Sequence, residues 1–199
     1  MTRNRATNIL ISIAIFLVLY GCARAGKAFL VPDGGRLTGQ YHMDGTEEAV
    51  FKNDSLRVTV RRIKPSDSEG STLIKNLSDK KYIILKVGIE NNSKFSVIYN
   101  PSLTALTDDG LDFLRPLDYT DLYDLTVADS GLESGLEDMT GKFYDIVLTL
   151  QPGEKSTRLI IFEPLSKNTS SAELDMEEIY IGTRTINLRF PFVLKTGKI

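Results

Sequence analysis

The chain has 199 residues, 42% hydrophobic and 25% charged, which suits one globular domain behind a leader and excludes wholesale disorder. Its formal charge is −2, and removing residues 1 to 21 leaves 22 basic against 26 acidic side chains. A mildly acidic domain excludes nucleic acid as a partner and excludes electrostatic adsorption to anionic lipid, because both need clustered positive charge.

The first 22 residues run in the order of an export signal: basic Arg3 and Arg5, an apolar stretch from Ile9 to Tyr20, then Gly21 before Cys22. Twelve apolar residues make a helix of about 18 Å, short of a hydrocarbon core roughly 30 Å thick. The tetrapeptide from Leu19 to Cys22 resembles the bacterial lipobox, with Leu three places before the cysteine and Gly just before it. The resemblance implies cleavage between Gly21 and Cys22 and a diacylglycerol thioether on Cys22. It also implies further acylation of the freed amine, and two or more chains give stable membrane attachment. In a Gram-negative cell, Ala23 in place of aspartate implies sorting to the outer membrane, facing the periplasm. With its one cysteine lipidated, the mature domain has no thiol for a disulfide, so its stability comes from packing.

Residues 22 to 46 carry Gly26, Gly34, Gly35, Gly39, Gly45 and Pro32 without sustained periodicity, and read as a lipidated tether. Within it, Ala28 to Val31 is apolar enough to dock as an added strand. The domain follows from residue 47 to 199. Leu56, Val58 and Val60 alternate with Arg57, Thr59 and Arg61, the pattern of a half-buried strand. Arg57, Arg61, Arg62 and Lys64 read as an edge kept soluble by charge. Ile83, Leu85, Val87 and Ile89 alternate in the next strand, which ends at the turn Asn91, Asn92 and Ser93. Phe95 to Tyr99 is extended until Asn100 and Pro101, where a bulge or a change of sheet is expected.

Leu103 to Thr107 and Leu111 to Arg115 flank Asp108, Asp109 and Gly110, a hairpin turn. Ile146, Leu148 and Leu150 lead through Gln151, Pro152 and Gly153 to Thr157, Leu159 and Ile161, a second predicted hairpin. Ile186, Leu188, Phe190, Phe192 and Leu194 share one face of a last strand, with Pro191 expected at an edge or bulge. Seven to nine short strands and no long helical period predict an all-β sandwich.

Residues 117 to 141 interrupt the rhythm with a short helix or long loop, and a connection of that length points to function. Asp118, Asp121 and Asp124 recur every three residues, followed by Asp129, Glu133, Glu137 and Asp138. Such a density of hard oxygen donors suits calcium, though no D-x-D-x-D-G loop is present. Tyr119 and Tyr123 stand four apart beside Leu122, an amphipathic face if helical. The packing of that face onto the sandwich is preferred over its exposure to a partner. His42 is the single histidine and lies in the tether, so a zinc cluster or a Ser-His-Asp triad lacks its ligands or base. The serine of GLESG is one place late for a nucleophile elbow. Sequons stand at Asn53, Asn76, Asn91 and Asn168.

The segments YIILKVGIENNSKF, NPSLTALTDDG, LQPGEKSTRLIIFEP and INLRFPFVL resemble bacterial immunoglobulin-like domains of unknown function found behind lipoprotein signals. Paired Asn91 and Asn92, then Asp109 with Gly110, Pro152 with Gly153, and Phe162 carry the likeness, over about residues 56 to 195. It implies an immunoglobulin-like sandwich, and because its motifs are structural it implies no chemistry. The expectation is a membrane-anchored envelope lipoprotein, not an enzyme, that contacts another envelope protein. The alternatives are a calcium or small-ligand binder of the envelope and a carboxylate-based hydrolase.

Overall fold

The computed structural model describes residues 27–64, 67, 71–109, 112–128 and 133–197. Gly21 and Cys22 lie outside them. The chain divides into a main unit, Leu30–Leu194, and a second made of residues 1–29 and 195–199. Of the second unit, 27–29 and 195–197 are described, as the outer ends of two strands.

The elements in order are β1 (Lys27–Pro32), β2 (Tyr41–Asp44), β3 (Glu48–Lys52), β4 (Leu56–Arg62), α1 (Thr72–Asp79), β5 (Ile83–Asn91), β6 (Val97–Tyr99), β7 (Thr104–Asp108) and β8 (Phe113–Leu114). They continue with α2 (Tyr119–Ala128), α3 (Glu133–Leu136), β9 (Leu148–Leu150), β10 (Lys155–Phe162), β11 (Ser171–Ile181) and β12 (Arg184–Gly197). Seven strands form one sheet, in the order β1-β12-β11-β6-β9 with β7 joined to β11 and β8 to β7. Five form the other, in the order β10-β5-β4-β3-β2. The protein is thus an antiparallel sandwich, with twelve strands among the described residues where the sequence predicts seven to nine, several of them only two to four residues long.

The main core lies between the sheets. Val58, Val60, Leu85, Val87 and Ile160 from one face Leu106, Leu174, Met176, Leu188, Phe190 and Phe192 from the other. A second apolar cluster lies on the far face of the five-stranded sheet. There Ile84, Leu159 and Ile161 meet Leu73, Ile74 and Leu77 of α1, Leu122 of α2, and Leu136, Met139 and Phe143. Strands β5 and β10 are therefore buried on both faces at this end, where strict alternation describes only one.

Five sequence expectations need correction. The stretch 30 to 46 belongs to the folded body and is not a tether. Leu30 is buried in the main core, and β2 pairs with β3 from Tyr41 opposite Phe51 to Asp44 opposite Glu48. The glycines there serve tight turns, with Gly39 and Gly45 at φ near +65°. Strand β4 is not an edge, since β3 and β5 flank it. Pro152 and Gly153 do not close a hairpin. Leu150 pairs with Val97 in one sheet while Lys155 pairs with Glu90 in the other, so the turn carries the chain between sheets. Conversely, Asn100 and Pro101 start a single 3-10 turn that keeps β6 and β7 in the same sheet. Pro191 sits in an interior strand, opposite Glu173, and its carbonyl accepts the Asp33 N–H at 2.9 Å.

Asn91 explains the crossing between sheets. Its side chain is fully buried and donates to the Phe95 and Leu150 carbonyls at 2.8 and 3.0 Å, while its oxygen accepts from the Ser93 N–H. Its backbone N–H and C=O pair with Glu154 and Gly153. One residue thus ties the end of β5 to the strand before the turn and to the turn itself. As a sequon, Asn91 points inward.

Candidate functional site

Of the connection at 117 to 141, residues 117–128 and 133–141 are described, and the first stretch carries α2. Asp118 accepts the Asp121 N–H at 2.9 Å, and Asp121 accepts the Asp118 N–H at 2.9 Å, a reciprocal cap of the orphan donors at a helix start. Arg115 grips both carboxylate oxygens of Asp121 at 2.6 and 2.7 Å, and its guanidinium also donates to the Pro116 carbonyl. The Arg115 hydrogen bond, ahead of all other causes, holds the Asp121 carboxyl below the usual aspartate range; burial opposes it. The period-three acids therefore act first as the start of a helix. Among the described residues no three His, Cys, Asp or Glu side chains gather in a group that could hold a metal ion.

The buried side of α2 is Leu122 and Thr126, with the Thr126 hydroxyl closing on the Tyr123 carbonyl at 2.7 Å. Tyr119 is 45%, Tyr123 52% and Val127 68% exposed. Spaced by four, they make one stripe along the helix. The sequence reading prefers these tyrosines packed against the sandwich, and the structure turns them outward: Leu122, one step away, takes the core-facing place. Asp118 and Asp124 are exposed alongside, and α2 carries no basic residue. Asp129 lies outside the described residues, and Glu137 is exposed.

His42 is exposed on β2. Other surface features carry no signal in the alternation. Phe95 and Phe113 are largely exposed, as are Ile146 and Val147 before β9. Tyr180 and Ile98, register partners across β11 and β6, lie on the outer face of the seven-stranded sheet. Towards the other end of β11 an ion-pair group joins Arg36 to Glu173 at 3.2 Å and Arg189 to Asp175 at 2.9 Å. Burial raises the Asp175 carboxyl above its usual range, against the pull of Arg189.

No protein-family model matches the chain, and no curated protein matches it. Among solved structures it is similar to the crystal structure of the yjhA protein from Bacillus subtilis. The identity is 16% and the TM-score 0.44, over 70% of this chain and 93% of that one.

Proposed function

We propose that this protein is a lipid-anchored envelope lipoprotein whose immunoglobulin-like sandwich is a non-enzymatic interaction module. The observation that carries the reading is the outward stripe of Tyr119, Tyr123 and Val127 on a helix whose adjacent flank is already anchored by Leu122. Aromatic side chains in such a row supply large contact area at little entropic cost. The acidic rim of Asp118 and Asp124 selects the partner: an envelope protein with an apolar patch bordered by Lys or Arg. The Leu19–Cys22 lipobox supports the anchor that keeps the module beside such a partner.

Two measurements test the two halves. Cells given radiolabelled palmitate are expected to label the wild-type chain and not Cys22→Ala. The double variant Tyr119→Ala with Tyr123→Ala is expected to keep its melting behaviour and lose its crosslinked partner. An unchanged partner in that variant defeats the α2 assignment, and absence of label in the wild type defeats the anchor.

A further inference from the structure

A hollow of about 270 Å³ opens on the outer face of the five-stranded sheet, away from the tyrosine stripe. Its floor is Lys86 of β5 with Thr157, Arg158 and Leu159 of β10, where Lys86 stands directly opposite Leu159. Ser71 and Ile74 of α1 form one wall, and Met139 with Gly141 and Lys142 forms another. The Ser71 hydroxyl points to Met139 at 3.8 Å, so the two walls touch each other.

The charges in this hollow are one-sided. Its single carboxylate, Asp67, is held by Arg61 at 3.2 Å and accepts the Lys64 backbone N–H at 3.3 Å. The side-chain ammonium groups of Lys86 and Lys142 make no ion pair or hydrogen bond among the described residues. Arg158, which alternates with Thr157 and Leu159, turns its guanidinium to the other face of the sheet, 5.6 Å from the Tyr144 ring centroid. On a protein of net negative charge, the two unopposed ammonium groups of Lys86 and Lys142 around one concavity form a local positive field, and concave low-dielectric walls focus it. Helix α1 adds to that field, because it opens beside the hollow with no acid in its first turn. The remaining lining is apolar: Ile63, Ile74, Met139 and Leu159.

We infer that this hollow binds a small organic anion, a carboxylate or phosphate monoester carrying an apolar group. The head lies between Lys86 and Lys142 with the Ser71 and Thr157 hydroxyls in reach, and the apolar group lies on Ile63, Ile74 and Leu159. The volume sits just below the roughly 300 to 1,000 Å³ of drug-sized ligand sites, so the ligand is compact. The site is independent of the lipid anchor and of the α2 stripe.

Titration of the full chain in detergent micelles with phenyl phosphate, phenylacetate and inorganic phosphate, followed by amide NMR shifts, tests the inference. Phenyl phosphate or phenylacetate is expected to shift Lys86, Lys142, Thr157 and Leu159 saturably, and inorganic phosphate to bind roughly tenfold more weakly for want of the apolar contact. Lys86→Ala with Lys142→Ala is expected to weaken binding by roughly tenfold or more. Lys94→Ala with Lys167→Ala, which removes two exposed lysines elsewhere, is expected to leave it unchanged. The single charge reversal Lys142→Glu, at an exposed turn position, keeps the test valid if the double variant misfolds. Non-saturating shifts, shifts scattered over all lysines, or equal loss in both double variants overturn the site. Equal affinity for inorganic phosphate overturns the role of the apolar wall.

Discussion

Arg115 and Asp121 show how one exposed pair can set the geometry of a whole connection. The bidentate grip fixes Asp121, Asp121 caps the Asp118 N–H, and the helix begins there instead of fraying. A carboxyl depressed in the folded state stabilises the fold above its unfolded pKa, and that contribution is lost as pH falls through the folded value. In Arg115→Ala, the Asp121 carboxyl is therefore expected to titrate at higher pH than in the wild type, observed by carboxyl carbon NMR. With Arg115 exposed to solvent, the accompanying loss of stability is small. Spacing in the sequence reveals the three acids; it does not reveal their work, because Arg115 reaches Asp121 only once Pro116 and Leu117 have turned the chain.

At the scale of elements, α1 illustrates a helix that hydrophobic alternation hides. Ser71 caps the Ile74 N–H, and Leu73, Ile74 and Leu77 form its buried side. Its end is a Schellman motif: the Lys81 N–H bonds the Ser78 carbonyl at 3.1 Å and the Tyr82 N–H bonds the Leu77 carbonyl at 3.0 Å. This places Lys81 at φ 69°, a conformation that costs an L side chain and suits glycine. Lys81→Gly is expected to raise stability by roughly 0.5 to 1 kcal/mol, read from the denaturant midpoint. Strand β11 escapes sequence reading for a different reason. Ala172, Leu174 and Met176 point inward, then the register shifts before Ile179 and Ile181 resume. The bulge, with Glu178 at φ 51°, resets the parity, and a period-two pattern broken midway reads as two fragments.

For the molecule as a whole, stability rests on the inter-sheet core, with no disulfide available to the described residues. Phe190 is fully buried and meets the Tyr41 ring edge-on at 5.5 Å, linking β12 to β2 across the sandwich. Phe190→Ala is expected to cost about 3 to 5 kcal/mol, seen as a lowered denaturant midpoint with an unchanged slope. The sequence by itself determined the alternating faces of β4, β5 and β12, the pairing of β7 with β8 and the all-β class, because a period of two is a local property of a strand with one wet side. Tertiary structure alone decided that the stretch after Leu30 joins the sheets, that Pro152 and Gly153 cross between them, and that Leu122 faces inward while Tyr119 and Tyr123 face out. Those outcomes depend on which strands become neighbours and on what covers the second face of β5 and β10, and pairing between distant segments leaves no periodic trace in either partner.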